Sequence, residues 1–430
     1  MATIEDLERF NPWWKTGKVR EAWLKEYKRS AYFEITKYIE KRQIILIWGL
    51  RRIGKTTLLF QIISKLIENT DSKNLLYFSF DEIAFDLKEV LEAYQKFVLG
   101  RAFEEMKETV YVFLDEIQKV KDWENKLKIY YDLYPDVKFF TSGSASVGLR
   151  KKSRESLAGR VLDFLLRPLS FEEFLEMNGK EVKKIREKPE LWNRELLPLF
   201  YRYIKYGTFP ELATEDDEDF ARKYILNNII ERIIYKDLPE EFGLKDVELL
   251  KSLVYLLGKN PGMIINYREI SKNLGKDQRT VANYFEYLEF GLLIRFVFNY
   301  RGSPIASLRK LKKAYFNTPN IAFVFNLDMD RIFPKLLENV VASETDAKFF
   351  YRDGFEIDFV IEENDKLVAI EVKRTEKDLK QVRKFIGKFE SKVKKTMIVD
   401  MEKEGKLGEV EIIPAWKFIL ERRWLQETPV

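Results

Sequence analysis

The sequence contains no cysteine and no histidine. Disulfides, zinc fingers, thiolate nucleophiles and histidine-based proton relays are therefore excluded. Any metal has to sit on oxygen ligands, which favours Mg2+, Mn2+ or Ca2+. No apolar run approaches the length of a membrane span, and the opening Met1–Ala2–Thr3–Ile4–Glu5–Asp6–Leu7–Glu8 is no secretory leader. The expectation is a soluble, cytoplasmic protein with no membrane partner. Neither sign of charge prevails: 75 Lys and Arg stand against 70 Asp and Glu, a net of +5. That balance neither demands nor forbids a nucleic-acid partner, so local clustering has to decide. High charge of both signs with only 19 glycines suits a heat-adapted intracellular protein. No tandem repeat or low-complexity tract stands out. At 430 residues there is room for about two to four domains.

What is present is organised around Gly49–Leu50–Arg51–Arg52–Ile53–Gly54–Lys55–Thr56, a match to G-x-x-x-x-G-K-[ST]. Before it, Ile44–Trp48 reads as a strand buried on both faces. After it, Thr56–Ile67 carries apolar residues at helical spacing. A strand, a glycine-bounded turn and a helix start aim main-chain N–H groups and a helix dipole at one point, where an anion belongs. Gly49 and Gly54 let the chain curl around phosphates. Lys55 is the candidate for the β- and γ-phosphates and Thr56 for the Mg2+ shell. Arg51, Arg52 and Thr57 complete the candidate nucleotide contacts.

Further buried strands are expected at 75–80, 110–114, 137–141 and 161–166. The second of these runs into Asp115–Glu116. Asp115 is the candidate to hold Mg2+ through water, and Glu116 to orient and deprotonate the attacking water. Ser142, with Ser144 close behind, follows the next strand as either a sensor of the γ-phosphate or part of a turn of small residues. Arg160 is either an arginine finger, acting within the chain or on a neighbouring subunit, or a solvated charge. Strands alternating with helices imply an α/β class with a three-layer parallel sheet.

In order, the phosphate loop, Val112–Phe113–Leu114–Asp115–Glu116–Ile117–Gln118, Thr141–Ser142–Gly143–Ser144, Leu157–Ala158–Gly159–Arg160 and Pro168–Leu169–Ser170–Phe171–Glu172–Glu173–Phe174 resemble the archaeal and bacterial AAA-superfamily P-loop ATPases with a C-terminal DUF4143 domain. Tyr206–Gly207–Thr208–Phe209–Pro210–Glu211 looks like another landmark of that family. The resemblance covers nearly the whole chain. It implies a five-stranded sheet with the phosphate-loop strand central, and ATP as the nucleotide. No guanine-reading N-K-x-D motif sits where a GTPase would need one.

Beyond a helical, aromatic-rich stretch, Asp246–Leu256, Tyr267–Leu274 and Gln278–Leu288 read as three helices, and Gly291–Phe298 as a β-ribbon. That is the layout of a winged helix. Ile270, Leu274, Val281, Phe285 and Leu288 would form its core. Gln278, Arg279 and Asn283 would face outward, able to hold phosphates or read base edges. The basic Arg309–Lys310–Leu311–Lys312–Lys313 could add phosphate contacts. A plain packing module is the other reading.

Near the end, Glu338 on a helix, Asp358 on a strand and Glu371–Val372–Lys373 on the next look like the PD-(D/E)xK nuclease fold, with Gln381 on a following helix. Asp358 should meet Glu371 across the ribbon. Glu338, Asp358 and Glu371 would hold Mg2+ or Mn2+, with Lys373 orienting the attacking water or neutralising charge. A half-exposed ribbon with charges on its wet face is the alternative.

The sequence thus divides into an N-terminal arm (1–28), a P-loop ATPase core (29–169), a helical lid (170–245), a winged helix (246–316) and a nuclease-like α/β domain (317–430). The expected function is ATP binding and hydrolysis, with DNA as partner, a metal-dependent deoxyribonuclease at the C-terminus and a homo-oligomer as a possible assembly. An ATP-switched DNA- or protein-binding regulator with an inactive nuclease-like domain is the rival.

Overall fold

Residues 2–81, 85–144, 156–302, 311–372 and 379–422 are described by the computed structural model. They form two units, Met1–Arg167 and Pro168–Val430. In the first, strands form where the apolar runs are unbroken: β1 (Ile44–Gly49), β2 (Leu75–Ser79), β3 (Val110–Asp115), β4 (Val137–Ser144) and β5 (Val161–Leu165). Every residue of β1, β3 and β4 is buried, as a strand covered on both faces requires. The order is β2-β3-β4-β1-β5, and all four pairings are parallel. β1 is therefore interior but one place from the sheet edge, not in the middle as the family resemblance implied. Because the strands run one way, the C-terminal ends of β1, β3 and β4 open on a single edge of the sheet. Gly49 pairs with Ser144 in register, and Leu114 with Thr141.

β2 is an outer strand, and the N-terminal arm closes its free side with side chains. Asn11 Nδ2 donates to the Tyr77 carbonyl at 2.8 Å, and the Tyr77 N–H donates to Asn11 Oδ1 at 2.6 Å. The Trp13 and Trp14 indole N–H groups both donate to the Leu75 carbonyl, at 3.0 and 2.9 Å. The Phe10 ring packs edge-on against Phe78. Asn11 thus does with one amide what a neighbouring strand does with its main chain. Asn11→Ala leaves a buried N–H and a buried carbonyl without this partner, and is expected to cost about 2–4 kcal/mol. The check is urea unfolding: the midpoint falls while the slope stays constant.

The second unit begins with helices. Ser170 and Glu173 form a reciprocal capping box at the start of helix Phe171–Met177. Helices Val247–Lys259, Tyr267–Leu274 and Gln278–Phe290 follow, with β6 (Met263–Ile264) after the first of them. Then come β7 (Ile294–Asn299), β8 (Lys312–Phe316), helix Met329–Thr345, β9 (Phe349–Arg352), β10 (Glu356–Glu363), β11 (Lys366–Val372), helix Leu379–Phe389, β12 (Val393–Asp400), β13 (Gly405–Leu407) and β14 (Val410–Pro414). All nine strands share one sheet, ordered β13-β14-β12-β11-β10-β9-β7-β8-β6. β7 pairs antiparallel with β8 and parallel with β9, through Phe298–Phe349 and Asn299–Phe350. One sheet therefore runs through the expected division at residues 316 and 317. Periodicity along a chain reveals strands but not which strands pair.

Ile270, Val281, Phe285 and Leu288 are buried and Leu274 is half-buried, while Gln278, Arg279 and Asn283 are exposed. Asp277 caps helix Gln278–Phe290 by accepting from the Arg279 and Thr280 N–H groups.

Candidate nucleotide site and a second acidic centre

The loop between β1 and its helix depends on backbone conformations and clearances that few side chains allow. Gly54 has φ +92°, and Arg52, two residues before it, has φ 64°, both in the left-handed region. A Cβ on Gly49 would lie 2.3 Å from the Leu166 carbonyl oxygen and 2.6 Å from Ile53 Cδ1, so only glycine fits. Lys55 opens the helix Lys55–Ile67 and is 6% exposed. Its ammonium folds back over the loop, donating to the Gly49 and Leu50 carbonyls at 3.1 and 2.9 Å. Arg29 donates to the Ile53 carbonyl at 2.9 Å from outside the loop.

Asp115, at the end of β3, reaches this loop from two strands away. Its Oδ2 accepts from the Thr56 hydroxyl at 2.7 Å and from the Tyr77 hydroxyl at 2.9 Å. Its Oδ1 accepts from the Ser142 hydroxyl and from the Glu116 N–H. Burial and the adjacent Glu116 push the Asp115 carboxyl above its ordinary range, against the Ser142, Thr56 and Tyr77 hydrogen bonds. Burial, with Asp115 next to it, also holds the Tyr77 hydroxyl protonated as a donor.

Glu116 sits at φ 54°, a conformation that an L-residue adopts at a cost of roughly 1–2 kcal/mol. The turn aims its carboxylate at the end of β4. There it accepts from the Ser144 hydroxyl at 2.8 Å, from the Ser144 N–H at 3.3 Å and from the Gln118 amide. Burial raises the Glu116 pKa, but Lys55, Ser144, Gln118 and Arg51 outweigh it and hold the group below the usual glutamate range. An ionised, hydrogen-bonded glutamate thus stands next to a buried aspartate.

The structure brings Gly49, Gly54, Lys55, Thr56, Asp115, Glu116 and Ser142 together at one sheet edge. Arg51 and Thr57 are half-buried on the same loop and helix start, and Arg52 is exposed. Ser142 is fully buried and bonds Asp115, while Ser144 bonds Glu116, so each hydroxyl is directed at an acid of this site. Arg160 does not join them. It precedes β5, at the opposite end of the parallel strands, and pairs with Asp132 at 2.8 Å. A finger acting within this site is therefore corrected to a surface ion pair. Tyr77 and Gln118 are additions; in the sequence Tyr77 is one of two hydroxyl side chains, with Ser79, in a largely apolar strand.

The second constellation lies in the other unit. Asp358 and Glu371 meet across β10 and β11 as expected: the Asp358 N–H donates to Glu371 Oε2 at 3.1 Å, and the Val372 N–H donates to Asp358 Oδ2 at 2.9 Å. They are 9% and 2% exposed, so these two carboxylates are not on a wet face. Glu338 comes in from helix Met329–Thr345, and Gln381 accepts from the Glu356 N–H at 3.0 Å. Lys373 lies outside the described residues.

The expected metal ligation is where the structure corrects the sequence. Lys313, on β8 and 5% exposed, puts its ammonium among these carboxylates. It lies 2.8 Å from Glu356, 3.2 Å from Glu338 and 3.8 Å from Asp358. Burial would discharge it, but Glu338, Asp358 and Glu356 outweigh that and raise its pKa above the ordinary lysine value. Burial, Glu338 and Glu371 push the Asp358 carboxyl well up. A divalent ion on Glu338, Asp358 and Glu371 would have to share this pocket with a fixed positive charge, so the residues present do not fit Mg2+ or Mn2+. Among the described residues, no group of three or more acidic side chains is disposed to hold a metal ion. Lys313 is also removed as a phosphate contact. Lys312 is half-buried, with its ammonium 3.6 Å from the Phe296 ring centre. Arg309 and Lys310 lie outside the described residues.

Residues 41–175 match the family model described as "AAA domain". Residues 197–324 and 333–418 match two domains of unknown function, DUF8612 and DUF4143. Uncharacterized protein MJ1544 of Methanocaldococcus jannaschii is 31% identical over 414 residues, covering 88% of this chain and 88% of that protein. Uncharacterized protein MJ1637 of the same organism is 30% identical over 449 residues, covering 94% and 92%. The solved S. cerevisiae Hsp104–ADP complex matches with a TM-score of 0.30 and 17% identity, over 61% of this chain and 39% of that one.

Proposed function

The chain belongs to the family that joins an AAA ATPase domain to a C-terminal DUF4143 domain, and from that premise we propose that it binds ATP with Mg2+, hydrolyses it, and uses nucleotide state to control a DNA-binding module. The observation that carries the nucleotide half is the Thr56–Asp115 hydrogen bond, which joins the start of the loop helix to a strand end two places away. In this reading the main-chain N–H groups of the loop receive the phosphates, and Lys55 turns from the Gly49 and Leu50 carbonyls to the β- and γ-phosphoryl oxygens. Glu116 orients the attacking water and takes its proton, while Ser144 and Gln118 fix the direction of its carboxylate. Ser142 and Tyr77 hold Asp115.

A hydroxyl and a carboxylate 2.7 Å apart suit a hard ion that keeps most of its own water, so Thr56 and Asp115 are the residues that would hold Mg2+. Bound there, the ion supplies charge neutralisation on the transferring phosphoryl group. The test is phosphate release by the full chain with ATP and Mg2+, against the variants taken up in the Discussion.

The DNA half is favoured by exposed Gln278, Arg279 and Asn283 on a capped helix whose other face is packed, in a helix–strand–helix–helix–strand–strand order that suits a winged helix. Arg279→Ala is expected to weaken duplex binding about equally across sequences and to flatten the dependence of log affinity on log salt by about 1. Anisotropy titrations at several salt concentrations measure it. An unchanged slope counts against DNA contact by this helix.

A further inference from the structure

We propose that Lys313 is a permanent internal cation in the acidic centre of the second unit, filling the position a divalent metal would need, so that the centre takes up metal only when Lys313 is removed. The proposal concerns a different centre from the nucleotide site and stands or falls independently of it.

Three independent elements build the pocket. Lys313 and Tyr315 are two residues apart on β8 and so share a face, as do Glu356 and Asp358 on β10. Glu338 enters from helix Met329–Thr345. Lys313 faces Glu356, Glu338 and Asp358, giving its ammonium three carboxylate partners within 4 Å. The Phe350 ring centre, 5.2 Å away, adds an aromatic face to the same cation. Tyr315 donates its hydroxyl to Glu338, occupying an oxygen a metal would otherwise use. One oxygen each of Asp358 and Glu371 is drawn on in the same way: the Val372 N–H donates to Asp358 Oδ2 and the Asp358 N–H donates to Glu371 Oε2.

β8 and β10 are three places apart in the sheet, so no main-chain pairing joins them here. Their meeting through Lys313 makes the ammonium a cross-sheet tie as well as a counter-charge. A single positive charge with three donors is an economical substitute for a hydrated dication, with two differences. It cannot dissociate, and it cannot activate a water for attack on phosphate. Arginine would keep the charge, but its wide planar fork needs different partner geometry. A neutral residue would leave Glu338 and Asp358 without this cation, and Glu356 with Arg352, whose Nε lies 3.6 Å away.

The test uses the full-length protein without nucleotide, in chelator or in Mn2+, read by thermal unfolding and by Mn2+ titration. For the wild type the expected result is a melting temperature indifferent to Mn2+, and no Mn2+ uptake that Asp358→Asn abolishes. Lys313→Met is expected to melt roughly 6–20 °C lower in chelator, the loss typical of breaking a buried ion pair. Mn2+ should restore at least half of that shift, and the restoration should vanish in the Lys313→Met/Asp358→Asn double variant. If Lys313→Met does not fold, the wild-type titration against Asp358→Asn still decides. Mn2+ bound by the wild type and lost in Asp358→Asn overturns the proposal. So does a Lys313→Met protein that folds and takes up no Mn2+, whatever its melting temperature.

Discussion

Glu116→Gln is expected to keep ATP bound while turnover falls by roughly 10²–10⁴-fold, the usual loss when a positioned general base is removed. The amide is nearly the same size and can still accept from the Ser144 hydroxyl at the position the carboxylate now holds. What it lacks is basicity. Lys55, Ser144, Gln118 and Arg51 together keep Glu116 ionised against its burial, so the native base is available throughout the neutral range. The measurement pairs a nucleotide-affinity titration with steady-state phosphate release. An unchanged turnover number would remove Glu116 from the chemistry and leave it as a partner of Ser144.

Lys55→Ala has the broader expected effect, because both binding and turnover depend on the same ammonium. ATP affinity should fall by about two orders of magnitude or more, and hydrolysis should drop below detection, since a charge-assisted contact to the phosphoryl oxygens is lost. The substitution has local side effects. The Gly49 and Leu50 carbonyls lose this donor, and Glu116 loses the leading influence that lowers its pKa. A melting curve on the same preparation separates these from a functional loss: the variant should remain folded and cooperative. Full ATPase rate in Lys55→Ala contradicts the nucleotide assignment.

Both residues were legible in the sequence because their context is local. The phosphate loop is a strand, a turn and a helix in consecutive residues, and Asp115–Glu116 is a strand end. What was not legible depends on which strands are neighbours. Ser142 and Ser144 lie on the same face of β4, so alternation cannot say which one meets Glu116; the β3–β4 register and the left-handed turn at Glu116 decide it. Arg160 follows Leu157–Ala158–Gly159 like a landmark, yet its position before β5 sends it to the far end of the sheet. Lys312 and Lys313 read as part of a basic stretch suited to phosphates. Only the folded sheet shows that one lies against an aromatic ring and the other is enclosed by acids.

The second unit shows the same limit. Its strands and helices were mostly visible as periodic runs, and Asp358 and Glu371 meet across neighbouring strands as expected. The cation that answers them comes from a strand some 45 residues earlier, beyond the reach of any local pattern.

The amide of Asn11 has a reach beyond the outer strand it closes. It grips the main chain of Tyr77, whose hydroxyl touches the carboxylate that pairs with Thr56. The first dozen residues are thereby in mechanical register with the nucleotide pocket. Trimming or rebuilding the amino terminus would disturb that pocket without altering any residue that lines it.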